Sequence, residues 1–193
     1  MSKILLVMGK RGSGKTTLAK KLIALLPRNK NIFIYDTLGE YSGIGTLAEN
    51  IETVFDYLET EERIIRFTSD DDDDFDRICR VIYSLKDYYL LVDEIDMFIS
   101  AVYLPEFFKK IIRYGRHSGL GIIAVTRRPA DISRLLSSQA NFIISFKQHE
   151  PKDCQYFSSF MPDTEKLLEL NEYEYLCYNS DKQTMTKNMV NIS

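Results

Sequence analysis

The chain has 193 residues, a length that bounds it to one well-buried core or one core with a small appendage. Hydrophobic residues make up 45% and charged residues 27%, a balance that excludes a disordered chain and a membrane-embedded one. A net charge of −3 excludes any global attraction to nucleic acid, so a DNA contact has to come from a local patch. No apolar run approaches the roughly 20 residues that span a bilayer, and the opening Met1–Gly9 lacks a small-residue cleavage site, so the protein is expected to be cytoplasmic. Cys79, Cys154 and Cys177 are widely separated, without the paired spacing of a zinc or redox site, and read as small core residues.

In chain order, Ile4–Val7 is an apolar run of strand length. Behind it, Gly9-Lys10-Arg11-Gly12-Ser13-Gly14-Lys15-Thr16 fits G-x-x-x-x-G-K-[ST] at every required position. Each residue type has a chemical reason: glycines let backbone N–H groups converge on phosphate oxygens, Lys15 reaches the β- and γ-phosphates, and the Thr16 hydroxyl ligates Mg²⁺. A helix predicted over Thr16–Leu26 and ended by Pro27 carries Thr17 in its first turn and points its positive end at the anion. ATP with Mg²⁺ is therefore the expected ligand of residues Gly9 to Thr17.

A strand is predicted at Ile32–Tyr35, a helix around Leu47–Leu58 and a strand at Ile64–Phe67. The run Asp70–Asp74, continued by Asp76, reads as a solvated loop leading into a helix over Phe75–Leu85, whose N-terminus favours negative charge. The apolar strand Tyr88–Val92 ends in Asp93 and Glu94, placed to hold Mg²⁺ through water and to polarise a water for attack on the γ-phosphate. Asp96 reads as a supporting or exposed residue. Helices follow at Pro105–His117, Asp131–Ser138 and Pro151–Phe160, with strands at Gly121–Thr126 and Phe142–Phe146. A short helix, Thr164–Leu170, precedes a β-hairpin of Tyr173–Tyr178 and Thr184–Val190, in which Tyr173, Tyr175 and Tyr178 are expected to be packing residues rather than a base-stacking platform. Strands separated by helix-length segments imply an α/β fold with a mostly parallel sheet covered on both faces. One domain, 1–193, is expected, with a core to about residue 160 and an appendage from about 161.

Two further stretches carry a resemblance. Phe33-Ile34-Tyr35-Asp36-Thr37-Leu38-Gly39-Glu40-Tyr41 resembles the strand ending in Asp followed by Gly-Glu-Tyr of HerA-type ATPases. Arg113 to Pro129 resembles the Arg-x-x-Gly, strand, Thr-Gln-x-Pro segment of the HerA/FtsK superfamily of DNA-pumping motors, and the resemblance runs in order from about residue 3 to residue 157. It implies a RecA-like P-loop core assembled into a homo-oligomeric ring, hexamer or pentamer, with ATP between neighbouring subunits. It also implies an arginine that completes the neighbour's site, and Arg116 matches the Arg-x-x-Gly position. Arg127 stands where the family usually has Gln, so either Thr126 senses the γ-phosphate or Arg127 contacts phosphate directly. A chain starting at its first core strand is expected to lack the barrel of HerA and the membrane segments of FtsK. Its size resembles the genome-packaging ATPases of archaeal and membrane-containing viruses, and a plasmid, conjugation or Zot-related assembly ATPase is the neighbouring reading.

The implied partner is double-stranded DNA, with a capsid or membrane protein as a candidate second one. The helix Pro105–His117 puts Phe107, Phe108, Ile111 and Ile112 on one face, with Lys109, Lys110, Arg113 and Arg116 largely off it. That is the pattern of an ordinary surface helix or, in a ring, of a face that grips DNA phosphates through Lys109 and Lys110. A small nucleotide kinase is the remaining rival. The adjacent Asp93-Glu94, the missing N-K-x-D pattern and the absence of an evident lid insert favour hydrolysis over transfer.

Overall fold

The computed structural model describes residues 2–60 and 62–191. In chain order the elements are β1 (Ile4–Met8), α1 (Lys15–Leu25), β2 (Asn31–Tyr35), β3 (Thr46–Ala48), α2 (Ile51–Leu58), β4 (Ile64–Phe67), α3 (Asp72–Ser84) and β5 (Tyr88–Val92). They continue with α4 (Glu106–Tyr114), β6 (Gly121–Thr126), α5 (Arg134–Gln139), β7 (Phe142–Phe146), α6 (Pro151–Ser158), β8 (Glu174–Asn179) and β9 (Thr184–Met189).

Among the described residues nine strands form one sheet in the order β3-β4-β2-β5-β6-β1-β7-β8-β9. Every pairing from β3 to β7 is parallel, and the C-terminal pair adds to β7 as an antiparallel hairpin. The α/β reading and the terminal hairpin are both present. Strands β5 and β6 are buried along their whole length, which is why they read as unbroken apolar runs rather than alternating ones.

Alternate side chains of each strand go to opposite faces. Leu6, Met8, Phe33, Tyr35, Leu90 and Val92 join one apolar cluster with Val54, Ile78 and Phe108 of α2, α3 and α4. Val7, Ile32, Ile34, Leu91 and Ile123 join the other, under Leu18, Ala19 and Ile23 of α1. An aromatic group pins the strand ends that carry the site: Phe75 stacks on Phe98 at 4.6 Å between ring centroids, and Tyr35 meets both edge-on at 5.3 and 5.1 Å. Such pairs contribute about 0.5–1.5 kcal/mol each beyond their buried area.

Several expected boundaries are corrected. Leu47 and Ala48 belong to the edge strand β3, paired with Arg66 and Phe67, and α2 starts only at Ile51 because Asn50 Oδ1 caps it, accepting from Thr53 N at 2.8 Å. The acidic run is partly helical: Asp71 Oδ1 accepts from Asp73 N and Asp74 N at 2.7 and 3.1 Å, so α3 begins at Asp72 with three carboxylates in its first turn. The helix expected to His117 keeps α geometry to Tyr114 and tightens into a 3-10 turn at Gly115–Ser118. The helix expected from Asp131 begins at Arg134, capped by Ser133, and Pro129–Asp131 is a separate 3-10 turn. The stretch Thr164–Leu170 is helical only as a 3-10 turn over Thr164–Leu167. Cys79 and Cys154 are buried and Cys177 half-buried, all as free thiols.

Candidate nucleotide-binding site

β1 lies between β6 and β7, so the loop that leaves it at Met8 opens at a crevice beyond the strand ends. Gly9 N donates to Thr126 O at 3.3 Å, and a Cβ on Gly9 would stand 2.8 Å from both Phe146 Cβ and Ser13 Oγ. Only glycine lets the chain turn this close to β7. Gly12 and Gly14 take φ of +76° and +99°, the left-handed region that glycine occupies without strain. The loop thereby curls over a cavity of about 510 Å³ at the N-terminus of α1. Arg11, Gly12, Gly14, Lys15, Thr16 and Thr17 form its floor, and Leu38, Glu40, Glu94, Arg127 and Tyr173 its walls. Ser13 is buried within the loop, and Lys10 is exposed on its outer side.

Lys15 is buried at 6% exposure, and its Nζ donates to Lys10 O at 3.1 Å. Burial lowers its pKa, opposed by the nearby Glu94 and Asp93 carboxylates. Asp93, at the end of β5, is 1% exposed. Its Oδ1 accepts from Glu94 N at 3.1 Å, whereas Oδ2 has no hydrogen-bond partner among the described residues. Burial, with Glu94 and Glu40 adding to it, pushes the Asp93 carboxyl up to about 7. Glu94 sits at φ +52°, an unusual conformation for glutamate of the kind that clusters at functional sites, and its Oε2 lies 2.8 Å from Arg127 Nε. Asp96 supports this corner by accepting from Arg127 N at 3.4 Å.

Glu40 is a site residue that motif spacing does not reveal. Its Oε2 accepts the Thr16 hydroxyl at 2.7 Å. Asp36 positions it, its Oδ1 accepting from Glu40 N at 2.8 Å and its Oδ2 from Tyr41 N at 3.0 Å, while Arg66 Nη1 lies 3.3 Å from the same Oδ2. The signal was present in the Gly-Glu-Tyr stretch, but spacing alone gave it no partner. Tyr173, expected to be a packing residue of the hairpin, lines the cavity.

The two candidates for contact with the γ-phosphate separate. Thr126 is fully buried, and its Oγ1 is engaged with the Arg128 backbone, accepting from Arg128 N at 3.2 Å, while Arg127 enters the cavity. Arg116 is not brought to this cavity at all. It is exposed near the N-terminal ends of β1 and β6, where it lines a separate cavity of about 340 Å³ with Arg113 and Asn141. Lys110 is tied down locally, 2.5 Å from Glu106 and over the Phe107 ring at 4.3 Å, while Lys109 is exposed.

The residues fit a Mg²⁺–nucleotide. A glycine cradle, a buried ammonium and a helix N-terminus suit phosphate. The Asp93 Oδ2 and Ser13 Oγ atoms are buried without protein partners among the described residues, and a Thr16 hydroxyl that gives its proton to Glu40 keeps its lone pairs for a metal. Hydroxyl and carboxylate oxygens are the donors Mg²⁺ prefers. Among the described residues no helix is long and apolar enough to cross a membrane.

Residues 2–132 match a family model described as an AAA domain. No curated protein sequence matches the chain. The genome packaging NTPase B204 from Sulfolobus turreted icosahedral virus 2, in complex with sulfate, superposes with a TM-score of 0.85 at 23% identity, covering 100% of this chain and 98% of that one. Its complex with ATP-gammaS gives 0.84 at 24% identity, over 97% of this chain and 96% of that chain. The pCW3 conjugation coupling protein TcpA, with ATPgS, gives 0.65 at 12% identity, over 97% of this chain and 60% of that chain. These likenesses are likenesses of fold.

Proposed function

This chain belongs to the AAA-domain family of P-loop ATPases, and on that premise we propose that it is a Mg²⁺-dependent motor of the HerA/FtsK type. Its ATP hydrolysis moves double-stranded DNA through a homo-oligomeric ring, as in viral genome packaging. The observation that carries the hydrolytic part is convergence: Lys15 and Thr16 from the start of α1, Glu94 from just after β5 and Arg127 from just after β6 all line one cavity beside the buried Asp93. The fold likeness to a genome packaging NTPase over nearly the full length of both chains supports the packaging reading.

In this reading the backbone N–H groups of Gly12 to Lys15 and the Lys15 ammonium bind the β- and γ-phosphates. Thr16 and Asp93 would hold Mg²⁺, Asp93 through water, and a cation bound there would supply positive charge beside the phosphate oxygens. Glu94 accepts a proton from a water molecule as the water's oxygen bonds to the γ-phosphorus and the bond from phosphorus to the β-phosphate oxygen breaks. The charge left on that oxygen meets Lys15 and the loop N–H groups. Glu40 orients the Thr16 hydroxyl. Arg127 supplies positive charge to the γ-phosphate from within the subunit.

Arg116, at the opposite ends of β1 and β6 from the phosphate cavity of its own chain, acts in this reading on the neighbour's nucleotide. In a ring, a few basic residues per subunit, with Lys109 and Arg113 as exposed candidates, suffice to grip DNA phosphates without reading sequence. The likeness to a conjugation coupling protein supports a second reading, an ATPase of conjugation or assembly that works on a protein partner. The presence of Glu94 in the phosphate cavity favours hydrolysis over transfer to an acceptor nucleotide.

Displacement of a third DNA strand annealed to one end of a long duplex tests the motor reading. ATP-dependent displacement that a Glu94→Gln variant lacks is expected. Steady ATP turnover with no displacement, from duplexes tagged at either end, would remove DNA translocation and leave the assembly ATPase.

A further inference from the structure

Tyr173 introduces strand β8 in a conformation that a bulky side chain rarely adopts, with φ at +63°. The surrounding chain holds it there. Val190 N donates to Tyr173 O at 3.0 Å, Asn171 N donates to Glu174 Oε2 at 2.7 Å, and Lys187 Nζ lies 2.7 Å from the same oxygen. Strain maintained in this way marks positions where a side chain is being aimed.

The ring is aimed at the phosphate loop. It is half-buried, and a Cβ on Gly14 would lie 3.5 Å from Tyr173 Cδ1. It forms a wall shared by the nucleotide cavity and a second one of about 220 Å³, which Lys147, Asn171 and Glu172 also line. Its side of the site is also informative. Glu94 and Arg127 follow β5 and β6, on one flank of β1, whereas Tyr173 precedes β8 on the other. A nucleotide whose γ-phosphate faces Glu94 extends its sugar and base away from that flank, toward the tyrosine.

We propose that the Tyr173 ring is the platform on which the base of the bound nucleotide stacks, with the polar groups of Asn171, Glu172 and Lys147 beside the edge of a purine. This rests on the phosphate-loop reading above. An aromatic face accepts any base, so stacking supplies affinity and the flanking polar groups supply preference. The C-terminal hairpin thereby carries the base-binding wall of the ATP site.

The 193-residue sequence has no tryptophan, so a Tyr173→Trp variant keeps an aromatic platform and adds a single indole reporter. ATP is expected to quench its emission, and inorganic tripolyphosphate, which has no base, to leave the emission unchanged while competing ATP away. Binding titrations supply the second arm. Tyr173→Ala should weaken ATP by about tenfold or more with tripolyphosphate unaffected, and Tyr173→Phe should bind ATP like the wild type. Equal loss of both ligands in Tyr173→Ala would make the ring a prop for the loop and overturn the proposal. Loss of neither, or an emission that answers both ligands alike, would also overturn it. A wild-type protein that binds tripolyphosphate as tightly as ATP would remove the base platform alone. One that binds neither would remove the phosphate-loop reading and this inference with it.

Discussion

Arg127 and Glu94 form an ion pair inside the nucleotide cavity, with Nε 2.8 Å from Oε2. The glutamate side chain is 9% exposed and the arginine 41%. An exposed guanidinium gives such a pair little weight in stability, about 0–1 kcal/mol, so its meaning lies in chemistry. The same cation can face either the carboxylate or a γ-phosphate, so nucleotide arrival is expected to draw Arg127 off Glu94 and free the carboxylate to take a proton.

Arg127→Ala is therefore expected to lower kcat for ATP by about 10³-fold while shifting Tm little. Arg127→Lys should not restore turnover, because an ammonium lacks the guanidinium fork. Phosphate release and thermal melts on the same preparations check both. A full-rate alanine variant would contradict the role.

Glu94→Gln keeps the size of the side chain and removes the base. Its kcat should fall about 10²- to 10⁴-fold with ATP still bound, measured by single-turnover hydrolysis beside a binding titration. Hydrolysis at the wild-type rate would end the assignment.

Glu40→Gln tests the contact to Thr16. Residues that orient a metal ligand typically change metal affinity by about 10–100-fold, so the Mg²⁺ concentration for half-maximal turnover should rise by roughly that factor. Maximal turnover at saturating Mg²⁺ should change less.

The fold could be inferred from periodicity because its central strands are buried apolar runs separated by helix-length segments. The misplaced ends were those that local chemistry decides. Asn50 and Ser133 cap helices later than the apolar pattern suggested, and Asp71 caps one earlier. Leu47 joined a three-residue edge strand because β4 offered it a partner, a long-range pairing with no local signature. In the site, the phosphate loop and Asp93-Glu94 were legible because contiguous residues carry their chemistry. Glu40 and Tyr173 were not, since each reaches the loop only when a strand end or the hairpin brings it there. The choice between Thr126 and Arg127 also depends on packing: the threonine is buried on its own strand end and the arginine projects past it.

Asp93 gives a pH dependence whose sign follows from burial. Its carboxyl is raised to about 7 from an ordinary value of 3.8, so between these values the folded chain holds a proton that the unfolded chain has released. The stability this group contributes is full below the ordinary value and is lost as pH rises through about 7. In chelator-treated protein, Asp93→Asn should therefore raise Tm over wild type by more at about pH 8 than at about pH 5. An equal offset at both pH values would contradict this environment for Asp93.

Arg116 lies near the N-terminal ends of β1 and β6, away from the phosphate cavity of its own chain, and the proposed ring assigns it to a neighbour's nucleotide. Arg116→Ala alone should be nearly inactive, as should Glu94→Gln alone. Mixing the two should restore turnover, because the mixed ring contains sites with an intact Glu94 facing an intact Arg116. Mixtures no more active than their parts would argue against a shared site.

The most direct measurement of the central claim is steady-state phosphate release from ATP and Mg²⁺, with and without long double-stranded DNA, at low and moderate salt. A motor that grips the backbone predicts clear stimulation by DNA that weakens as salt rises. Release that is the same with and without DNA at both salts would contradict it.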